Sequence, residues 1–188
     1  MQVVAFYSEN TIYEEEAEIW KESFKSCDTI LIPIKNMGSW LNNCRQKPYI
    51  ISEALSLSKD SILYVDIDAR LMRDLEEIPE PELPGFCFLN GIKVKRYNRQ
   101  LASGTIYFPK KEISFQILSE WKKMQELWPG INDQRTLQEV IESNKYDYQI
   151  LEKEWLGIDK YQELPNPIIH HTQVSRTLKT RTLGGVPR

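Results

Sequence analysis

The order of apolar and amphipathic stretches in the first third of the chain limits the folds that it can adopt. Three short runs, 3–7, Thr29–Ile34 and 61–65, are mostly apolar and bounded by polar residues, which is typical of buried strands. The stretches between them are helical in pattern, and Pro48 suits the first turn of the second one. This strand–helix–strand–helix–strand order predicts one half of a parallel, doubly wound nucleotide-binding sheet.

The remaining elements follow less regularly. Strands are predicted at Gly85–Leu89 and 103–108, and helices at 113–128 and 133–143. For the first helix we predict a capping box, with Thr11 as the cap and Glu14 reaching back. Asp133 is a favoured residue type for capping the last helix.

Length, charge and cysteine use exclude several classes of protein. The chain has 188 residues, which suits one domain with its own core. Its net charge of −3 gives no overall positive field, so we expect no nucleic-acid partner. No apolar stretch approaches the roughly 18 residues of a transmembrane segment, and the N-terminal residues lack the features of a signal peptide. Three cysteines without a Cys-x-x-Cys pair favour reduced thiols and a cytoplasmic location.

Two aspartates, Asp66 and Asp68, come directly after the third predicted strand. Ligands of parallel sheets bind beyond the carboxyl ends of the strands, so the pair stands where a nucleotide would bind. Carboxylate oxygens suit Mg²⁺ or Mn²⁺, and such a cation neutralises charge on a departing diphosphate. The motif is short, and two exposed loop aspartates are the alternative.

The two histidines of the sequence, His170 and His171, are adjacent and follow two apolar residues. A strand would point them to opposite faces, so only one of them would join a given site. Neutral imidazole is a ligand compatible with manganese. A solvated pair in a terminal segment is the alternative.

Several segments, taken in order, resemble GT-A-fold glycosyltransferases that use nucleotide-diphospho-sugars. They are the lysine-led helix start 47–55, the Asp-x-Asp strand 62–68 with 71–75 after it, the Ser-Gly strand 103–108, Asp133-Gln134 at a helix start, and 168–170. The resemblance covers residues 3–172. It implies an α/β, Rossmann-like GT-A fold with a mostly parallel central sheet flanked by helices.

The resemblance also implies a domain plan and an activity. One domain would span 1–188, with a nucleotide-binding half at 1–68, a sugar and acceptor half at 69–172, and a C-terminal tail at 173–188. It would transfer a hexose from a nucleotide-diphosphate sugar, with UDP as the carrier, to a saccharide or other hydroxyl acceptor. Mn²⁺ or Mg²⁺ would be the cofactor. The family leans toward retention of the anomeric configuration, while the residues themselves leave both outcomes open.

The resemblance assigns roles to individual residues. The metal ligands would be Asp68 and His170, with Asp66 touching the ribose and the metal; the family's histidine directly follows two apolar residues, as His170 does. The residues implied to bind the donor are Phe6, Tyr7 and Ser8 at the base and ribose, Asp66 at the ribose, Lys47 near the diphosphate or the sugar, and Ser103 and Gly104 at the sugar. Asp133 and Gln134 would be the catalytic residues beside the sugar.

The chain departs from the family pattern at two places. Ala102 stands where the family usually has asparagine, so one expected sugar contact is missing. The Gly and Lys-Pro-Trp residues that often follow the family's histidine are absent too. Arg176, Lys179 or Arg181 is the candidate replacement for their phosphate contact.

Two further features leave their interpretation open. The basic residues Lys93, Lys95, Arg96 and Arg99 form either a mobile flap over the diphosphate or a solvated loop. Trp40 and Trp155 are candidates for stacking on acceptor sugars, with core or rim packing as the alternative.

Two other functions compete with sugar transfer. A haloacid-dehalogenase-like phosphatase also carries Asp-x-Asp after an apolar strand. That strand comes first in its core sheet, however, and here it comes third without a downstream acidic pair. A non-catalytic nucleotide-sugar binding module would keep Asp66, Asp68 and His170 but lack turnover.

Overall fold

The computed structural model of the chain describes residues 1–89, 97–143, 145–159 and 162–174. The helices of these ranges are α1 (Tyr13–Ser23), α2 (Trp40–Cys44), α3 (Lys47–Leu57), α4 (Glu112–Leu127) and α5 (Asp133–Ile141), with a 3₁₀ turn at Lys153–Trp155. The strands are β1 (Gln2–Ser8), β2 (Thr29–Ile34), β3 (Ile62–Val65), β4 (Ala69–Leu71), β5 (Gly85–Leu89), β6 (Gln100–Phe108), β7 (Gln149–Ile150), β8 (Gly157–Ile158) and β9 (Ile169–His171). None of the helices in the described ranges combines the length and apolar character that crossing a bilayer requires.

The central sheet has six strands in the order β2-β1-β3-β6-β5-β7. β1 runs parallel to both β2 and β3, and β5 runs parallel to β7. The long strand β6 is antiparallel to its neighbours β3 and β5. Three of the five pairings are therefore parallel, which confirms the predicted mostly parallel sheet.

Both faces of the sheet are covered, which explains why its central strands read as continuous apolar runs. Successive residues of a strand point to opposite faces, so Val3 and Val4 enter different cores. Val3 packs in a core with α1, where Trp20 and Phe24 stack at 4.6 Å between ring centroids. Val4 packs in a second core with α3, α4 and α5. The helices thus flank the sheet as predicted.

The start of α1 differs in detail from the predicted capping box. The Tyr13 N–H donates to Thr11 Oγ1 at 3.2 Å, so Thr11 does satisfy a backbone donor of the first turn. Glu14 reaches back one residue further than predicted, because its Oε1 accepts from the Asn10 N–H at 3.0 Å. The exchange therefore spans residues 10–14.

A small three-stranded sheet, in the order β4-β9-β8, follows the Asp-x-Asp turn. β9 is antiparallel to β4, with Ala69 opposite His171 and Arg70 opposite His170. β4 begins immediately after Asp68. This pairing brings the late histidines back to the end of β3, more than 100 residues away in the chain, which the sequence does not show directly.

Candidate functional site

A cavity of about 170 Å³ opens at the carboxyl ends of β1 and β3. The residues that line it are Phe6, Tyr7, Ser8, Tyr13, Trp40, Asn43, Cys44, Lys47, Tyr64, Asp66, Ile67, Asp68, Ser103, Gly104, Asn132, Asp133 and Gln134. Every site residue that the sequence predicted lines this cavity, with the exception of His170. The fold therefore brings together segments that are separated by up to about two thirds of the chain.

Asp66 is fixed at the end of β3 by main-chain and side-chain bonds. Its N–H donates to Gly104 O on the neighbouring strand at 2.8 Å. Its Oδ1 accepts from the Tyr64 hydroxyl at 2.8 Å and from Lys47 Nζ at 2.9 Å. Tyr64 is buried, and this burial, together with the smaller effect of the nearby Asp66 charge, raises the pKa of its hydroxyl well above the usual value. Tyr64 thus remains a neutral donor that orients the carboxylate.

Lys47 connects the end of β3 to the start of α5. Its ammonium contacts Asp66 Oδ1 and Asp133 Oδ2, each at 2.9 Å, and donates to Ser103 O at 3.0 Å. An ammonium has three N–H donors, so these contacts use its full capacity. Burial by itself lowers the pKa of Lys47, but the carboxylates of Asp133 and Asp66 outweigh it and raise the pKa above the usual value. Lys47 is therefore a permanent buried cation between two carboxylates.

Asp133 is the first residue of α5 and is buried. The cap of this helix is Asn132, whose Oδ1 accepts from the Arg135 N–H at 3.0 Å. Asn132, rather than Asp133, therefore caps the helix, although the position of Asp133 in the sequence suggested that role as an alternative. Asp133 Oδ2 accepts instead from the Ser103 hydroxyl at 2.8 Å and contacts Lys47. The carboxylate is consequently held toward the cavity rather than toward its own helix.

Three side chains form a group with metal-ligand chemistry. One ligand atom each of Asp66, Asp68 and His171 lies within 4.8 Å of the other two. His171 Nδ1 is 3.4 Å from Asp68 Oδ1. Two ligands of one octahedral ion, at about 2.1 Å from it, lie about 3 Å apart, so this spacing is close to that of ligands that share an ion. We call Asp66, Asp68 and His171 the cation group.

The surroundings of the cation group fit a divalent ion as well. Burial by itself raises the pKa of Asp68, but His171 and Lys47 outweigh it and hold the pKa below its usual value, so this carboxylate stays ionised. A Cβ at Gly104 would lie 2.9 Å from His171 Cε1 and 3.2 Å from Asp66 Oδ2. Glycine therefore keeps the space beside these ligands open. Two carboxylates and an imidazole are a donor set that suits Mn²⁺.

The histidine of this group is His171 and not His170, which corrects the sequence-based assignment. Because β9 is a strand, its successive side chains point to opposite sides. His171 turns toward Asp68, whereas His170 Nε2 contacts Asp159 Oδ1 at 2.9 Å on the other side. The preference for His170 came from its position after two apolar residues. The register of β9 against β4 decides the matter, and that register is a tertiary property.

Several residues of the site were missed by the sequence reasoning. Tyr64 and Thr105 lie within predicted strands, and their hydroxyls bond to the cation group: Thr105 Oγ1 is 2.9 Å from His171 Nε2. A polar side chain inside an otherwise apolar strand is the signal in the sequence that could have identified them. Cys44 and Asn43 lie on the short helix α2, whose residues show no clear helical pattern in the sequence.

The remaining candidates from the sequence are the two tryptophans, the residues of the basic flap and the phosphate-contact residues. Trp40 lines the cavity, while Trp155 is buried in the core and is not free to stack on a sugar. Arg99 packs over the Phe88 ring at 4.0 Å and pairs with Glu142 at 3.0 Å, so it is held against the body of the protein. The other residues of the predicted flap (Lys93, Lys95 and Arg96) and the phosphate-contact candidates Arg176, Lys179 and Arg181 lie outside the described residues.

The chain is similar in structure to known glycosyltransferases. One is a glycosyltransferase involved in the glycosylation of the major capsid of PBCV-1, with a TM-score of 0.72, 12% identity and 98% coverage of both chains. Another is the glycosyltransferase GlyE of Streptococcus pneumoniae TIGR4, with a TM-score of 0.57 and 18% identity. This chain is covered to 92% in that match and spans about half, 55%, of GlyE. An apo-form structure of GlyE matches with a TM-score of 0.58 and 17% identity.

Sequence comparison adds nothing to these likenesses, since no protein-family model and no curated protein matches the chain. At identities of 12–18%, the structural likeness extends to the fold. The six-stranded sheet with its flanking helices, together with the similar solved structures, shows that this chain has the GT-A fold of glycosyltransferases, as its motifs predicted.

Proposed function

We propose that the protein is a metal-dependent glycosyltransferase that moves a hexose from a nucleotide-diphosphate sugar, with UDP as carrier, to a hydroxyl acceptor. The observation that carries this proposal is the cavity at the carboxyl edge of the sheet. There the cation group adjoins the buried Lys47–Asp133 pair. The fold shared with glycosyltransferases supports the same activity.

The cation group would hold Mn²⁺ or Mg²⁺ through Asp66, Asp68 and His171. The ion would supply charge neutralisation for the departing nucleoside diphosphate. Asp66 already has its Oδ1 engaged by Tyr64 and Lys47, so its Oδ2 is the oxygen available for the ion or the ribose. The carboxylate is therefore oriented before any ligand arrives, and it need not reorganise during the reaction.

The nucleotide would occupy the end of the cavity formed by β1. Phe6, Tyr7 and Ser8 are the last residues of that strand and line the cavity. The half of the chain at 1–68 would thus bind the nucleotide, and the half at 69–172 would bind the sugar and the acceptor. Ser8 is buried, which suits a residue that borders a ribose rather than bulk water.

The transferred sugar would lie between β6 and the start of α5. Ser103, Gly104, Asp133 and Gln134 line this part of the cavity. Asp133 offers a carboxylate near the anomeric carbon, where positive charge develops in an oxocarbenium-like transition state. Lys47 and Ser103 fix its orientation through Oδ2. Because all three N–H donors of Lys47 are used within the protein, we assign Lys47 to positioning Asp133 rather than to binding the diphosphate.

The proposal is tested by release of free nucleoside diphosphate from a panel of nucleotide sugars in the presence of Mn²⁺. We expect slow release from one donor, lost in a chelator and in the variants Asp68→Ala and His171→Ala. His170→Ala is the matched control, because the neighbouring histidine has the same chemistry but faces Asp159. It should retain release. Equal loss in both histidine variants would contradict the assignment of His171, rather than His170, to the cation group.

Nucleotide binding should be measured beside release. Mn²⁺-dependent binding of UDP without release from any donor would favour the binding module over the transferase. Release that persists in the chelator at the wild-type rate would remove the cation from the proposal.

A further inference from the structure

Thr105 lies in the middle of β6, opposite Val65 of β3, and its side chain is fully buried. Its hydroxyl is 2.9 Å from His171 Nε2. The other ring nitrogen, Nδ1, is 3.4 Å from Asp68 Oδ1. The His171 ring therefore bridges a strand of the central sheet and the aspartate of the cation group, with one nitrogen assigned to each.

The two partners of the ring differ in what they can do. A carboxylate only accepts hydrogen bonds, whereas a hydroxyl both donates and accepts. Without a cation, the neutral ring donates its Nδ1–H to Asp68, because a carboxylate only accepts, and the Thr105 hydroxyl donates to the bare Nε2. With a cation on Nδ1, the ring proton must lie on Nε2, and the same hydroxyl accepts it. A hydroxyl at position 105 can serve both states without moving the ring.

The packing around the ring limits other arrangements. His171 is buried, and its Cε1 lies against Gly104, where a Cβ would be 2.9 Å away. Thr172, the next residue, donates through its N–H to Asp68 O at 3.1 Å. The backbone that carries His171 is therefore tied to the backbone of Asp68. The position of the ring proton is therefore the remaining variable, and Thr105 contacts Nε2, the nitrogen that carries this proton in one of the two neutral tautomers.

We propose that Thr105 is a positioning residue that keeps His171 Nδ1 directed at the cation group by pairing with Nε2 in either tautomer. This inference rests on the proposed cation group. It assigns Nδ1 as the metal-binding atom of His171 and gives a role to a residue that does not itself line the cavity. Partners of this kind typically change metal affinity about 10–100-fold when they are removed.

The first test is Mn²⁺ affinity, measured by titration with electron paramagnetic resonance detection of free Mn²⁺. Thr105→Val removes the hydroxyl and keeps the shape, and we expect about 10–100-fold weaker binding. Thr105→Ser keeps the hydroxyl and should bind close to the wild type. Ser114→Ala is the control, because Ser114 lies on α4, is equally buried, and donates to Pro109 O away from the site. It should leave the affinity unchanged.

The second test reads the tautomer directly from long-range ¹H–¹⁵N spectra of the ring nitrogens. The sequence has two histidines, so His170→Gln leaves His171 as the single imidazole. At a pH where the ring is neutral, we expect its proton on Nδ1 in the metal-free protein. With Zn²⁺, a d¹⁰ ion that imidazole binds well, the proton should be on Nε2.

These measurements separate the inference from the proposed function. Unchanged Mn²⁺ affinity in Thr105→Val, or a ring proton on Nδ1 in the Zn²⁺-loaded protein, overturns the role of Thr105 and leaves sugar transfer intact. Weaker binding in Thr105→Val with rescue by Thr105→Ser supports it, even where no donor is turned over. A wild type that binds neither ion overturns the inference, and donor release then tells whether transfer proceeds without a cation.

Discussion

Replacing Lys47 by methionine removes one buried positive charge from between two carboxylates. Methionine is close to lysine in shape, so the change acts mainly on charge and hydrogen bonding, with a small packing contribution. Asp133 is the more affected partner, because its side chain is only 5% exposed and its carboxylate would be left buried without a counter-charge. The side chain of Asp66 is 35% exposed, so water and salt compensate most of its loss.

The expected cost follows from these exposures. Removing one partner of a buried ion pair costs about 3–5 kcal/mol. Since only the Asp133 half is fully buried, we expect the lower end, about 3 kcal/mol. For a domain of this size, that loss lowers the melting temperature by roughly 6–12 °C. It is a large part of the roughly 5–15 kcal/mol by which domains are stable.

The assay is urea unfolding followed by tryptophan fluorescence and circular dichroism, with a double-mutant cycle. Lys47→Met with Asp133→Asn should be more stable than Lys47→Met alone by about 1–2 kcal/mol, because the second change removes the uncompensated buried charge. Lys123→Met is the matched control. Lys123 pairs with Glu120 on the exposed face of α4, and its loss should cost less than about 0.5 kcal/mol.

Two results would contradict this role of Lys47. If Lys47→Met cost no more than Lys123→Met, Lys47 would not be the buried link between β3 and α5. A double variant no more stable than Lys47→Met alone would show that the carboxylate of Asp133 is stabilised by other partners. Either outcome would also remove the basis for assigning Lys47 to positioning.

Two glycine substitutions test the remaining geometry. Gly104→Ala places a Cβ 2.9 Å from the imidazole of the cation group, so Mn²⁺ affinity and donor release should both fall. Gly130→Ala is the control and should leave both unchanged, because nothing lies within 4 Å of its new Cβ. Equal behaviour of the two variants would contradict the close approach of Gly104 to His171. Gly85→Ala places a Cβ 2.6 Å from Leu151 Cδ2 in the core, and we expect a loss of about 1–3 kcal/mol in urea unfolding without a change in Mn²⁺ affinity. An alanine variant at 85 as stable as the wild type would show that Leu151 moves aside freely.

The sequence by itself determined the elements whose signals are local. Continuous apolar runs indicated β1 and β3, which are buried on both faces, and also β2, an edge strand whose residues are only partly buried or exposed. Proline near the start of α3 marked where that helix begins. The position of Asp66 and Asp68 directly after an apolar strand, together with the rule that ligands bind at the carboxyl ends of parallel strands, located the site.

Motif order added the far segments of the site. Ser103-Gly104 and Asp133-Gln134 were placed beside the aspartates by resemblance to a family, and the structure brings them to the same cavity. Their spacing along the chain alone carries no such information, because nothing local links residue 104 or 133 to residue 66.

The tertiary structure alone decided everything that depends on pairing between distant segments. The register of β9 against β4 directs His171 rather than His170 at Asp68, and a shift of one residue would exchange them. Asn132 takes the cap of α5 and leaves Asp133 to Lys47, although both residue types are favoured caps. The full use of the Lys47 donors and the contact of Thr105 with His171 likewise arise from three segments meeting in one place. Residue types give the chemistry that is available, whereas strand register and packing select which of those groups meet.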